Sequence, residues 1–364
     1  MDSDLGDERA QKFDMKNKEI MNVHLDSRKL VPGQTKKFYV SMDNLLLHSV
    51  TSSTWKRHNS AWNSYKNFCQ LSGNSYALPI SIEQCRAYVT WAMTEKKLKP
   101  STVENYISSL STAHSLSGLH CDSFSRDRCI QLLLKGAENL ILLGNPHTNV
   151  RLAMNIHLLR LLGHRIDDTS WDILSKQVVW TACTVSFYSS CRMGELLSTE
   201  KLHFDRRTTL KWDDVTFVEG NEAILYIPFT KTTGLKGTVI NLFPIDNPTC
   251  PLAALKQLKS MCETDNLYEG KNPVFRFRNG TYLTVQTLNE LLAKLLKEFN
   301  DKHNKISCHS FRAAIPSAIA SCPDKGTVEE IKQWGTWRSE SYRKYTRQER
   351  DKDRTLFYKA VNLL

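Results

Sequence analysis

The chain has 364 residues, of which 41% are hydrophobic and 24% charged, a length sufficient for two domains that each bury a core. It contains no run of about 18 apolar residues and no signal-peptide core near residue 1. We therefore expect no membrane span and an intracellular protein. The net charge of +11 favours a polyanionic partner, most commonly nucleic acid.

A small helical bundle is predicted over residues 41–145, after a polar arm at residues 1–40. The first helix carries four aromatic residues at spacings that place them on one face, with Ser53 or Thr54 as its expected cap. These aromatic residues are Trp55, Trp62, Tyr65 and Phe68. Later helices are expected to begin near Ser81, Pro100 and Asp127.

A turn-rich segment around Pro146 is the predicted linker, at residues 146–150, and a second domain is expected over residues 151–364. This domain is predicted to open with a helix near Arg151 and an apolar helix at 171–190. Strands are expected near 215–219, 223–230 and 237–243. Helices are then expected at about 250–263, 284–299, 309–322, 326–334 and 338–346.

Four motifs in the second domain hold residue types that act on phosphates. The motif Cys-Arg-Met-Gly-Glu-Leu-Leu contains Arg192, and Leu-Tyr-Ile-Pro-Phe-Thr-Lys ends at Lys231. The motif His-Ser-Phe-Arg contains His309 and Arg312, and Trp-Gly-Thr-Trp-Arg-Ser-Glu-Ser-Tyr-Arg-Lys-Tyr ends at Tyr345. In this order the motifs resemble the active site of the tyrosine recombinases, the family of phage integrases and Cre-like enzymes.

The resemblance implies a mostly α fold, in which a helical core-binding domain precedes a mainly α catalytic domain with a small antiparallel β-sheet. It implies a site-specific recombinase or integrase, carried by a phage, virus, plasmid or eukaryotic mobile element. Tyr345 would form a 3′-phosphotyrosine bond, and the freed 5′ hydroxyl would attack the partner strand. Because that bond stores the energy, no ATP is expected, and neither a P-loop nor a carboxylate cluster suggests a cofactor or metal.

Two guanidiniums are expected to clamp the phosphate, because planar guanidiniums pair with its non-bridging oxygens. Arg192 and Arg312 are the candidates, and the resemblance gives Glu195 the supporting task of holding them in place. Cys191, beside Arg192, is expected to be a core residue, since none of the ten cysteines forms a Cys-x-x-Cys pair.

The pattern His-x-x-Arg also occurs at His157–Arg160 and His203–Arg206, so only its place between the other motifs selects His309 and Arg312. Residues three apart on a helix share a face, which would let both side chains reach one phosphate. Pro316 is expected to shorten or kink this helix.

Lysine and tyrosine candidates each have rivals nearby. The resemblance implies that Lys231 protonates the leaving 5′ oxygen, with Lys236 as the rival in the same turn. Tyr345 is the expected nucleophile, and Tyr342 and Tyr358 are the alternatives. Where the family places a histidine or tryptophan, this chain has Thr336, so either its hydroxyl or the indole of Trp337 is expected to bind the phosphate.

The expected partner is double-stranded DNA, bound by a homodimer or homotetramer, with basic residues on the DNA-facing surfaces. These residues are Lys56, Arg57, Lys96, Lys97, Lys99, Arg343 and Lys344. A nuclear location is expected if the source is eukaryotic. Two alternatives stay open: a topoisomerase-like or resolvase-like enzyme that uses the same covalent step, and a DNA-binding protein that no longer cleaves, for which Thr336 is the argument.

Overall fold

The computed structural model describes residues 45–46, 48–117, 119, 123–144, 150–218, 221–300, 304–321 and 327–334. Contacts between Cα atoms divide the chain into a first unit, residues 1–147, and a second unit, residues 148–364, and each has its own hydrophobic core. The predicted arm at 1–40, most of the predicted linker and the predicted helix at 338–346 lie outside the described residues.

The first unit is helical over its described residues. Its α-helices are α1 Ser52–Ser72, α2 Ile82–Thr94, α3 Pro100–Leu116 and α4 Arg128–Gly144, with a 3₁₀ turn at Phe124–Arg126. Ser81 caps α2 as predicted, because its hydroxyl accepts from the Gln84 amide at 3.1 Å. The predicted cap of α1 at Ser53 or Thr54 is wrong, since Thr51 has the extended backbone and accepts from the Thr54 amide.

The aromatic face of α1 forms the core of the first unit, as predicted from its spacing. The rings of Tyr65 and Phe68 pack against Tyr88 of α2 at centroid distances of 5.5 and 5.7 Å. Just before α2 begins, the Ile80 amide donates a hydrogen bond to the buried His114 of α3 at 2.8 Å. Burial and this fixed contact hold the three helices in one orientation.

The second unit is mainly helical and contains a small sheet. Its helices are α5 Ile156–Asp167, α6 Ile173–Ser189, α7 Met193–Leu196, α8 Pro251–Thr264, α9 Val285–Leu295, α10 Cys308–Arg312, α11 Ala314–Ser321 and α12 Val328–Trp334. Its strands are β1 Val150–Arg151, β2 Val215–Val218, β3 Glu222–Ile227, β4 Thr238–Leu242 and β5 Asn304–Lys305. Strands β2, β3 and β4 form an antiparallel sheet in that order, which confirms the predicted fold class.

Long-range pairing overrides one predicted helix start. Residues 150–151 form β1, which pairs in parallel with β5, and α5 begins only at Ile156. The backbone of this segment continues beside the chain that enters α10, because the Met154 amide donates to the Ser310 carbonyl at 2.9 Å. These contacts join residues about 150 positions apart, so local periodicity could not reveal them.

Proline interrupts the chain at two predicted elements. The strand predicted at 223–230 ends at Ile227, because Pro228 follows and has no amide hydrogen for the ladder. The helix predicted at 309–322 is divided into α10 and α11 around Ala313. Pro316 lies in the first turn of α11, where its missing donor is tolerated, and the expected shortening of the helix is confirmed.

Helix α6 is the central element of the second unit and is buried on all sides, as its apolar sequence requires. It packs against α5, α8, α10 and α11. A helix with such fixed surroundings gives its C-terminal end a defined position, and the first motif follows directly from that end. Within the described residues, no helix is both long enough and apolar enough to cross a membrane.

Candidate active site

The candidate site lies where α6 ends. Ser190 adopts the left-handed conformation, with φ 53° and ψ 17°, and turns the chain so that Arg192 becomes the N-cap of the short helix α7. The Arg192 amide donates to one Glu195 oxygen at 3.0 Å, and its Nη1 donates to the other at 2.7 Å. Both ends of Arg192 are therefore fixed by one carboxylate.

Burial makes the Arg192–Glu195 pair rigid while leaving the arginine accessible. The Glu195 side chain is 8% exposed and that of Arg192 is 24% exposed. A guanidinium has five N–H donors, and one of them is used by Glu195. The other N–H groups of Arg192 can form the two parallel, charge-assisted hydrogen bonds by which a guanidinium binds a phosphate.

Arg312 approaches the same loop from α10. It is 1% exposed, and its Nη1 donates to the Ser190 carbonyl at 2.9 Å. The last carbonyls of a helix have no partner within that helix and carry the negative end of its dipole, so a cation there is favourable. The structure thus brings Arg312 against the turn that leads into Arg192, although the two residues are far apart in sequence.

The short helix α10 is held at its first residue and at its middle residue. The Cys308 amide donates to the side chain of Asn289 in α9 at 2.9 Å, and the Ser310 carbonyl accepts from the Met154 amide. His309 is exposed, whereas Arg312, on the same helix, is directed into the protein. A ligand that binds both side chains must reach them at the boundary between the surface and the interior.

Helix α12 also meets the end of α6. The indole Nε1 of Trp334, the last residue of α12, donates to the Tyr188 carbonyl at 3.0 Å. The sequence motif that ends at Tyr345 begins with Trp334, so it starts beside the end of α6, from which the chain continues to Arg192. Its remaining candidates lie outside the described residues: Thr336, Trp337, Tyr342, Arg343, Lys344, Tyr345 and Tyr358.

Lys231 lies in the turn between β3 and β4 and is exposed, as is its rival Lys236. Within the described part of the chain, the Lys231 side chain makes no hydrogen bond or ion pair. Among the described residues, no hydrogen bond or ion pair links Lys231 to Arg192 or Arg312, which are called the arginine pair below. A long side chain on a turn outside the sheet can move toward a bound ligand without breaking an existing contact.

The cysteine beside Arg192 is structural. Burial, with a smaller contribution from the neighbouring Glu195 carboxylate, raises the pKa of the Cys191 thiol to about 12, although the Ser189 hydroxyl and Arg312 act in the opposite direction. Since the thiolate is the nucleophilic form of cysteine, this thiol is unreactive at neutral pH. The expectation that Cys191 belongs to the core is confirmed by its place in the core cluster.

The basic residues predicted to face DNA in the first unit are all exposed. Lys96 lies over the Trp91 ring, 5.5 Å from its centroid, and Lys97 has a left-handed backbone with φ 53°. The full set is Lys56, Arg57, Lys96, Lys97 and Lys99. Their ammonium and guanidinium groups are available to a polyanion.

Sequence reasoning missed Ser190 and Trp334. Each supplies one side of a hydrogen bond that fixes the site, and their partners are 122 and 146 positions away. Ser190 has a positive φ, a backbone conformation that glycine adopts without steric cost but that strains a serine. No local signal in the chain indicates either contact.

Replacing Ser190 with glycine is expected to stabilise the protein by about 0.5–1 kcal/mol, because relief of the left-handed strain, about 1–2 kcal/mol, exceeds the additional conformational entropy, about 0.5–1 kcal/mol, that a glycine loses on folding. The substitution also removes a buried hydroxyl that has no hydrogen-bond partner within the described residues. The carbonyl that accepts from Arg312 is retained. Thermal unfolding checks this, with Ser190→Ala as the control that keeps the strain. A lower melting temperature for Ser190→Gly than for wild type would contradict it.

Comparison with known proteins supports one fold. No protein-family model and no curated protein matches the sequence. The structure is similar to the XerH site-specific recombinase bound to palindromic difH substrate in a post-cleavage complex. The TM-score is 0.55 at 14% identity, over 82% of this chain and 77% of that chain. It is also similar to a lambda integrase dimer bound to a COC′ core site, with a TM-score of 0.52 at 13% identity, over 90% and 84% of the two chains. The chain therefore has the fold of the tyrosine recombinases.

Proposed function

We propose that this protein is a site-specific DNA recombinase that cleaves and rejoins duplex DNA through a 3′-phosphotyrosine intermediate. The observation that carries the proposal is the meeting of Arg192, Glu195 and Arg312 at the end of α6. Two guanidiniums and one carboxylate leave a net positive charge there. This charge would stabilise the additional negative charge that a phosphate acquires in its pentacoordinate transition state. The fold neighbours support the proposal, since they are a recombinase and an integrase in complex with DNA.

In the proposed step, the phenol oxygen of Tyr345 forms a bond to the scissile phosphorus as the bond from phosphorus to the 5′ oxygen breaks. The phenol proton passes to a base, for which exposed His309 is the candidate, and the ammonium of Lys231 gives a proton to the leaving oxygen. Arg192 and Arg312 stabilise the added negative charge on the non-bridging oxygens. The reverse attack by a 5′ hydroxyl of a second strand completes the exchange.

Duplex DNA is the proposed partner, bound by a dimer or tetramer, because strand exchange needs one nucleophile for each strand that is cut. The exposed basic residues on α1 and at the end of α2 would contact DNA phosphates. Thr336 or Trp337 would complete the set of donors at the phosphate. No metal is needed, since the arginine pair supplies the positive charge that a metal would otherwise provide.

The covalent intermediate tests the proposal directly. Full-length protein is incubated with nicked duplexes that tile the DNA flanking its own coding sequence, then denatured and separated on a gel. Wild type is expected to leave a denaturation-resistant adduct that Tyr345→Phe does not form. An adduct that persists in Tyr345→Phe would move the nucleophile to Tyr342 or Tyr358.

The same experiment separates the alternatives. Relaxation of supercoiled plasmid without exchange between two duplexes would favour the topoisomerase-like enzyme. Binding to a flanking duplex without any adduct would favour a DNA-binding protein that no longer cleaves. Absence of both binding and adduct would overturn the proposal.

A further inference from the structure

Helix α4 of the first unit has an exposed apolar face. Leu140 is 70% and Leu143 81% exposed, and Ile141 and Leu142 in the same last turn are exposed as well. At 3.6 residues per turn, five exposed positions fall within an arc of about 80° around the helix, here called the α4 stripe. These positions are Cys129, Leu132, Gly136, Leu140 and Leu143. A continuous apolar stripe on a helix surface marks a contact with another molecule.

Gly136 lies at the centre of the α4 stripe, and nothing in its own chain requires a glycine there. It is within the helix, and in the described part of the chain no atom lies within 4 Å of a Cβ built at this position. Glycine lowers the stability of a helix relative to alanine. What the missing side chain permits is the close approach of a second backbone to α4.

The α4 stripe has the same spacing in both directions from Gly136. Leu132 and Leu140 lie four residues to either side, and Cys129 and Leu143 lie seven residues to either side. A two-fold axis reverses one helix relative to the other, so a pattern of this kind meets itself. With the axis at Gly136, Leu132 would contact the partner's Leu140.

Charge favours an antiparallel second copy over other occupants of the α4 stripe. The charged residues of α4 lie outside the arc, so the stripe offers no cation to DNA phosphates. These residues are Arg128, Lys135 and Glu138. In the antiparallel pair Arg128 would lie beside the last carbonyls of the partner helix, which carry the negative end of its dipole. In a parallel pair the two Arg128 side chains would meet instead.

We propose that two copies of this chain pair in solution through α4, with the helices antiparallel and crossing at Gly136. One helix of 17 residues from each copy is a small contact, so we expect a dissociation constant on the order of 10 µM. The pair would bring two copies of the protein to one DNA molecule together. The inference does not rest on the proposed function, because the pair is expected without DNA.

The first test is sedimentation equilibrium of the full-length protein without DNA. Wild type is expected to pass from monomer to dimer as its concentration rises through the micromolar range. Leu140→Glu should raise the dissociation constant at least about 100-fold, because each dimer would bury two unpaired carboxylates in place of two leucines. Leu71→Glu is the matched control, since Leu71 lies on α1 of the same unit and is 69% exposed, and it should leave the dissociation constant unchanged.

Gly136→Ala gives a result that a merely structural role would not produce. In dilute, monomeric protein the alanine should raise the melting temperature of the first unit by about 2–8 °C, because it favours the helix. The same methyl group would force the paired helices apart and should weaken the dimer by about tenfold. A stabilised monomer with a weaker dimer is the expected combination.

Cysteine pairs determine the orientation of the helices. Chains that carry Leu132→Cys are mixed with tagged chains that carry Leu140→Cys, both with Cys129→Ser, and are exposed to a mild oxidant. An antiparallel pair should form disulfides between tagged and untagged chains, because these positions face each other. Chains with Cys129→Ser alone should form none.

Each other outcome would overturn the inference and leave the proposed function standing, since the covalent adduct is measured separately. A monomer at all concentrations would do so, and one whose Cys129 is shielded from a thiol reagent would place a segment of the same chain on the α4 stripe. A dimer that persists in Leu140→Glu would use another surface. Disulfides between chains of the same kind would show parallel helices. Weaker DNA binding by Leu140→Glu without a change in oligomeric state would assign the α4 stripe to DNA.

Discussion

Arg192→Lys is expected to slow formation of the covalent adduct by about 10²- to 10³-fold, the loss typical of one donor that stabilises developing charge. Lysine keeps the charge but not the planar fork, and it cannot bind Glu195 and a phosphate with the geometry of a guanidinium. DNA affinity should change little, because the other proposed phosphate contacts remain. Single-turnover adduct formation at saturating DNA measures the effect.

The matched control for Arg192 is Arg160→Lys. Arg160 is exposed on α5 and belongs to one of the other His-x-x-Arg patterns, so its replacement should leave the rate unchanged. A rate for Arg192→Lys within a few-fold of wild type would remove Arg192 from the proposed clamp. Unfolding must be measured in parallel, since the Arg192–Glu195 contact also orders α7.

Local rules were sufficient where a few neighbouring residues decide the structure. Ser81 and Gln84 form a capping box within one turn, and the apolar length of α6 indicates burial on all sides. The order of the arginine, lysine, histidine and tyrosine motifs identified the fold that the solved structures confirm. None of these features depends on a contact between distant segments.

The features of the fold and the site that the sequence did not predict depend on contacts between segments that are far apart in the chain. The pairing of β1 with β5 replaces a predicted helix start, and the sequence of residues 150–154 contains no sign of its partner. The turn at Ser190 receives Arg312 and its neighbour Tyr188 receives Trp334, so the end of α6 is built by two segments more than a hundred residues away. His309 and Arg312 also differ in burial, although they were expected to share one helix face. His309 is exposed, whereas Arg312 is buried and donates to the Ser190 carbonyl.

Arg312→Ala is expected to remove cleavage and to destabilise the protein, unlike a residue that only contacts DNA. The substitution breaks the hydrogen bond to the Ser190 carbonyl and leaves a space where a buried guanidinium was. A hydrogen bond to a charged group contributes about 1.5–3 kcal/mol to the free energy of unfolding. For a unit of this size the melting temperature should fall by about 3–12 °C.

The companion substitution Arg312→Lys separates the two tasks of this side chain. A lysine ammonium can donate to the Ser190 carbonyl and should recover part of the stability, but without the fork it should leave adduct formation slow. Arg165→Ala is the control, because the Arg165–Glu298 ion pair is exposed and worth at most about 1 kcal/mol. If Arg312→Ala melts like wild type, the contact with Ser190 does not hold the site together. If Arg312→Lys cleaves at the wild-type rate, a point charge suffices and the paired-guanidinium clamp is wrong.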